Sequence, residues 1–296
     1  TKEEKFLFGL KTQGIKLGLK RTTQLLEFCD NPHKNYFTVQ IVGTNGKGST
    51  LSMISSILLE AGISVGTYTS PHLVDFKERI KVNNIKITSK YIHDFIHIHK
   101  KEIINIEATF FEVMTVLATN YFYDKKVDIA LLETGLGGQY DSTTACHSDM
   151  YVFTEISKDH HHLLGNEIYD IAKNKARAIT HKAPCISSSQ DKVVKLELDE
   201  QASQYDISIN YIDNKTLKHY DISLYGNHQN INANLAVKVV EDLSNNFNIS
   251  SENIVLGLKN TYWPGRFHKL NLNPMVLFDV CHNETSIITF LESVEK

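Results

Sequence analysis

The stretch "VQIVGTNGKGSTLSMI", residues 39 to 54, constrains the fold of this chain more than any other. Val39 to Val42 form an apolar run of the kind that makes a buried strand. Beyond Ser49, the residues Leu51, Ile54 and Leu58 recur at helical spacing. Between strand and helix stand Gly43, Thr44, Asn45, Gly46, Lys47 and Gly48. Glycine lets the backbone turn through angles closed to other residues, and it lets a large anion approach the amide groups. A helix N-terminus points unpaired N–H groups and a partial positive charge at that anion. Lys47 adds a full charge. The simplest occupant is a nucleotide triphosphate. The loop departs from the general phosphate-loop pattern, G-x-x-x-x-G-K-[ST]. Only Thr44 and Asn45 separate Gly43 from Gly46, and Gly48 splits Lys47 from Ser49. The rival reading is a glycine-rich turn with a solvated lysine.

Strand-like runs recur at 37 to 42, 64 to 69, 127 to 132 and 150 to 155. Helical patterns lie between or beyond them, at 48 to 61, 89 to 101, 109 to 123 and 167 to 181. This alternation predicts an α/β fold with a mostly parallel sheet. Such sheets bind ligands beyond the C-terminal ends of their strands. The glycine loop, "TSPH" (69 to 72) and "ETGLGG" (133 to 138) each follow a predicted strand, so they should meet at one edge. Residues 192 to 225 alternate or carry β-branched residues, which predicts a small antiparallel excursion. Helices are expected at 228 to 246 and 250 to 260, and a new strand at 273 to 280 after "WPGR".

Composition narrows the function. Basic and acidic residues number 31 and 34, for a net charge of −3, so no broad nucleic-acid surface is expected. No apolar run is long enough to cross a bilayer, and no signal-peptide pattern opens the chain. The four cysteines lack metal or redox spacing and read as free thiols. A cytoplasmic, monomeric protein without a nucleic-acid or membrane partner is the expectation.

Glu133 closes the run "VDIALLE". A carboxylate there, near a phosphate loop, is placed to hold Mg²⁺ directly or through water. A helix cap or surface residue is the other reading. "KDHHHLLG" (158 to 165) adds Asp159 and His160, although surface histidines are common and Mg²⁺ prefers oxygen. Lys175, in "IYDIAKNKARAI", reads by default as a solvated helix lysine.

Ten segments stand in register: "VGTNGKGST", "TSPHL", "FKERIKVN", "TFFEVMTVLA", "LLETGLGGQYDST", "DHHHLLG", "IAKNKA", "GNHQNINANLA", "WPGRF" and "DVCHN". Together the chain resembles the folylpolyglutamate synthase/dihydrofolate synthase family of the Mur-ligase superfamily. The resemblance runs from about residue 36 to 283. It implies a Mur-ligase-like ATP-binding domain over residues 1–265 and the beginning of a Rossmann-like C-terminal domain, incomplete here, over 266–296. It also implies roles. Lys47 and the amides of residues 43 to 49 would hold the ATP phosphates, with Ser49 on a bridging Mg²⁺. Ser70, Glu133 and His160 match holders of a second Mg²⁺. Lys175 matches a lysine that is carbamylated by CO₂, and Lys47, Lys175 and His160 form the implied catalytic set. Asn232, Arg266, Asp279 and His282 match positions that hold adenine, ribose and phosphate. Pro71, His72 and Arg79 match loops near the pterin site.

The implied activity is an ATP-dependent amide ligation. A carboxylate of dihydropteroate or a folate attacks the γ-phosphate, and the amine of L-glutamate then displaces phosphate from the acyl phosphate. Two other readings stand beside it: a nucleotide- or pterin-binding paralogue without ligase activity, and a P-loop phosphotransferase. Lys158 and Arg177 depart from the family pattern and would add positive charge near the metal site.

Overall fold

The computed structural model describes residues 2–14, 16–158 and 164–294. Eight strands form one sheet in the order β4-β3-β2-β5-β1-β6-β7-β8. They are β1 Phe37–Val42, β2 Val65–Tyr68, β3 Ile80–Val82, β4 Ile85–Lys86, β5 Ile129–Glu133, β6 Met150–Phe153, β7 Cys185–Ser187 and β8 Asn210–Tyr211. From β2 to β8 the neighbours run parallel, and only the β2–β3 and β3–β4 pairings are antiparallel. β1 is central, with Ile41 opposite Glu133 of β5 and Val152 of β6.

The central strands β1, β2 and β5 are buried on both faces because helices cover both. Along β5 the side chains alternate. Ile129 and Leu131 join one core with Val39, Ile54 and Val240. Ala130 and Leu132 join the opposite core with Val113, Leu117 and Phe122. A period of two thus divides one strand between two layers. The helices Lys47–Glu60, Asn227–Leu243 and Ser251–Asn260 make the first layer. The helices Lys20–Phe28, Ser89–Asn105 and Phe110–Asp124 make the second. Thr109 caps the last of these in a capping box with Glu112, whose carboxylate also pairs with Arg21 at 3.0 Å. Among the described residues no helix is long and apolar enough to cross a membrane.

Helices Lys47–Glu60 and Ser251–Asn260 touch backbone to backbone at Gly257, where an added Cβ would overlap the main chain of Ile57. Gly257→Ala should therefore destabilise by about 1–3 kcal/mol through overpacking, although alanine gains roughly 0.8–1 kcal/mol of helix propensity. Urea unfolding measures the balance. A more stable variant would show that the two helices part at little cost.

The segment 192 to 225 differs from the sequence expectation. "VVKLELDEQ" lies in a helix, Lys192–Ser203, capped by the Asp191 side chain accepting from Val193 N at 2.9 Å. Val194, Leu198 and Ala202 are its buried positions, a four-residue repeat that also passes for alternation over a short window. β8 is the only strand between 192 and 225, and it runs parallel to β7. The antiparallel pieces lie elsewhere: at β3 and β4, and in a separate hairpin, β9 His268–Leu272 with β10 Met275–Phe278. The helix expected over 167 to 181 is Ile168–Ala176. The chain continues into a helix at Glu284–Val294.

Candidate active site

Parallel strands place the exits of β1, β2, β5 and β6 at one edge, and two adjoining clefts open there. The first, about 670 Å³, is lined by residues 43 to 48 with Ser70, Pro71, Glu133, Lys175, Arg266 and His282. The second, about 540 Å³, is lined by Ser49, Asn232, Arg266 and Asp279 among others. Arg266, Asn45, Gly46 and Ser286 line both.

The glycine loop is pinned to the exit of β6. Thr44 N donates to Glu155 O at 2.8 Å, and Thr44 Oγ1 donates to Ser157 O at 3.0 Å. Asn45 Oδ1 accepts from Asn283 Nδ2 at 3.0 Å, which ties the loop to the turn after β10. Gly46 has φ 85°, and its missing Cβ makes room for the Asn232 amide. Lys47 opens the helix, and its Nζ donates to the carbonyls of Gly43 and Thr44, each at 3.1 Å.

Glu133 is buried, and its Oε2 accepts from Ser70 N at 3.0 Å. Burial pushes its carboxyl above the usual range, against the pull of Lys47, Arg266 and Arg79. An ionised carboxylate here is costly without a nearby cation. Ser49, Ser70 and Glu133 offer oxygen donors only, the chemistry Mg²⁺ prefers, and they leave places for phosphate oxygens and water. Among the described residues no three His, Cys, Asp or Glu side chains group as a metal cluster. His160, with Asp159, falls outside the described residues.

Lys175 is not a solvated helix lysine. It is 5% exposed, and its Nζ donates to Gly43 O at 2.7 Å, the carbonyl that Lys47 also reaches. Two features deliver it. Asn174 Oδ1 accepts from Gly138 N at 3.0 Å, and Asn174 O from Gln139 N at 2.9 Å. Gly138 also lies against the Lys175 main chain: a Cβ added at Gly138 would stand 2.6 Å from the Lys175 carbonyl oxygen. The paired glycines of "ETGLGG" thus allow the loop after β5 to meet the helix Ile168–Ala176. Arg177 points away: it is exposed and donates to Gln139 Oε1 at 3.1 Å. Lys158 pairs with Glu167 at 3.7 Å, both exposed. The positive charge expected from these two near the metal site is therefore directed elsewhere.

Arg266 pairs with Asp279 at 3.8 Å. Asp279 also accepts from Phe267 N at 2.7 Å and Cys281 N at 2.9 Å, so one carboxylate fixes both the arginine and its turn. His282 Nδ1 lies 3.0 Å from Val280 O. His72, next to the first cleft's Pro71 in sequence, and Arg79 line neither cleft. Arg79 Nε donates to His72 Nδ1 at 2.9 Å, and its guanidinium lies 5.6 Å from the Phe110 ring centroid. Burial, then Arg79, holds the His72 imidazole below its ordinary pKa. Sequence reading missed Asn45–Asn283, Ser286 and the contact of Trp263 with Gly48, which has no motif of its own.

No family model matches the chain. Individual relatives do. A dihydrofolate synthase/folylpolyglutamate synthase of Bacillus subtilis is 34% identical over 322 residues, covering 98% of this chain and 75% of that one. The chain belongs to the folylpolyglutamate synthase/dihydrofolate synthase family. A probable bifunctional folylpolyglutamate synthase/dihydropteroate synthase of Haloferax volcanii is 33% identical over 308 residues. That match spans 94% of this chain and 36% of the relative's length. A solved folylpolyglutamate synthase in complex with AMPPCP and folate superposes with a TM-score of 0.90 at 25% identity. The superposition covers 98% of this chain and 80% of that one. The family's Mur-ligase fold is therefore the fold of this chain, and the family is one of ATP-dependent ligases.

Proposed function

We propose that this chain carries the ATP site and acceptor site of a ligase that adds L-glutamate to dihydropteroate or a folate. The observation that carries the reading is the meeting of Lys47, Glu133, Lys175 and Arg266 around one cleft. The phosphates of ATP lie along the amides of residues 43 to 49, at the N-terminus of the helix Lys47–Glu60. Lys47 and Arg266 supply positive charge where the γ-phosphoryl group transfers. Asn232 and Asp279 hold the nucleoside end, and His282 faces the phosphate cleft. Ser49 would hold one Mg²⁺, and Ser70, Glu133 and His160 a second. Bound Mg²⁺ neutralises phosphate charge. Pro71, which lines the first cleft, and His72 and Arg79 outside it would stand near the pterin of the acceptor. That carboxylate attacks the γ-phosphorus, ADP leaves, and the amine of glutamate displaces phosphate from the acyl carbon. A carboxylate is a poor electrophile until phosphorylated, so ATP is required chemically.

We also place a domain boundary near residue 265. In support, the hairpin 268–278 forms its own two-stranded sheet, outside the eight-stranded one.

Thermal unfolding tests the acceptor. With Mg²⁺–ATP present, a pteroate-type ligand at 100 times its Kd should stabilise by about 2.7 kcal/mol. That is a rise of roughly 5 °C for a chain of this size. A UDP-linked cell-wall precursor should leave the melting temperature unchanged. The reverse pattern would reassign the acceptor.

A further inference from the structure

Trp263 is the sole tryptophan of the chain and lies half-buried at the junction of three parts of the site. Its indole rests on Gly48. A Cβ there would stand 2.8 Å from Cζ2 and 2.9 Å from Cε2 and Nε1. Lys81 Nζ of β3 lies 5.7 Å from the ring centroid, within cation–π range. Residues 261 to 267 run as a strap along the helix Lys47–Glu60. Ser52 Oγ donates to Tyr262 O at 3.2 Å, and Thr261 Oγ1 donates to Gly257 O at 2.8 Å. Only Pro264, whose φ is fixed by its ring, and Gly265 stand between Trp263 and Arg266. The strap ends with Arg266 in both clefts.

We infer that Trp263 is a positioning residue for the nucleotide: wedged on Gly48, it sets the distance between the phosphate loop and Arg266. The inference rests on the proposed ATP reading. It also gives Gly48, the residue that splits Lys47 from Ser49, a reason to lack a side chain. A methyl group at 48 has to push the indole outward, and the short stiff connection carries Arg266 with it. A rigid, flat side chain suits this use, because few rotamers are lost in fixing it.

A double-mutant cycle tests the contact, with AMPPCP and Mg²⁺ in calorimetric titrations of the wild type, Gly48→Ala, Trp263→Leu and the double variant. Gly48→Ala alone should weaken AMPPCP by about tenfold or more, and Trp263→Leu by about tenfold. In the Trp263→Leu background the Gly48→Ala change should cost less than about threefold, because nothing large remains to be displaced. Trp263→Phe, which keeps an aromatic plate, should lose about threefold and guards against misfolding of the leucine variant. A general loss of fold lowers binding alike in every background, whereas direct contact makes the cost at 48 depend on residue 263. Equal costs in both backgrounds, or wild-type affinity in Trp263→Leu, overturn the inference. Lys47→Ala separates the two levels. If it abolishes AMPPCP binding while Trp263→Leu does not weaken it, this inference alone fails. If Lys47→Ala binds normally, the ATP reading fails and takes the inference with it.

Discussion

Lys47→Ala should weaken nucleotide binding by about 100-fold or more while leaving the fold intact. The loss follows from removing a charge-assisted contact to phosphate, worth about 1.5–3 kcal/mol and more where water is excluded. The fold should survive because Lys47 contributes little to it. It sits in the first turn of its helix, where the backbone dipole disfavours a cation by about 0.3–1 kcal/mol. Its hydrogen bonds to the carbonyls of Gly43 and Thr44 close the loop on itself. One further effect has a definite sign. Lys47 is the largest of the influences that lower the Glu133 carboxyl. Without it, Glu133 should rise further, and Mg²⁺ dependence should shift to higher metal concentration. Titration with AMPPCP and Mg²⁺, checked by circular dichroism, reads both. Unchanged affinity would remove the phosphate-loop reading.

Much of this site was legible because buried parallel strands announce themselves. The run at β1 was placed at 37 to 42, as observed, and Glu133 was placed at the end of β5. β5 is apolar on both faces, whereas one face of β1 carries Thr38 and Gln40, whose amide is satisfied by Thr143 and Thr144; the run expected at 127 to 132 becomes strand only from Ile129. The exits of parallel strands must share an edge, so the convergence of residues 43 to 48, Ser70 and Glu133 needed only strand direction. Residues 192 to 203 resisted because Val194, Leu196 and Leu198 suit a strand as well as a helix until Ala202 is included. The direction of Arg177 was hidden for another reason. Arg177 is two steps from Lys175, as the residue that caps the helix Ile168–Ala176, so it stands about 200° round the axis from it, and Gln139 across the gap receives it. Trp263 on Gly48 and Asn283 on Asn45 are contacts across more than 200 residues, which local pattern does not encode.

The largest chemical effect is expected at Lys175, where two readings made opposite predictions from sequence. The lysine is buried, and it shares the Gly43 carbonyl with Lys47, at 2.7 Å and 3.1 Å. An ordinary lysine has a pKa of about 10.4 and meets CO₂ as an unreactive ammonium at neutral pH. Burial and a neighbouring cation both favour the neutral amine. Lys47 supplies that cation, whereas Arg177 is turned to the surface. We therefore propose that Lys175 carries CO₂ as a carbamate. The neutral nitrogen bonds to the carbon of CO₂, one C–O π bond opens, and one proton leaves the nitrogen. A neutral amine becomes an anion in the cleft that Glu133 also lines, with two oxygens of the kind Mg²⁺ prefers. Lys175→Ala should then lower ligation by about two to three orders of magnitude, the loss expected when one preorganised electrostatic group is removed. AMPPCP affinity should change less than about tenfold, because the phosphate loop keeps Lys47 and its amides. The activity arm uses the full-length enzyme. A second arm needs no turnover: with ¹³C-bicarbonate, the wild type should show a carbamate carbon by NMR that Lys175→Ala lacks. A short carboxylic acid added to the alanine variant should restore part of the rate, since it returns an anion to the vacated space. Normal ligation by Lys175→Ala, or the same ¹³C signal in both proteins, would leave Lys175 as a buried structural cation that holds the Gly43 carbonyl in place.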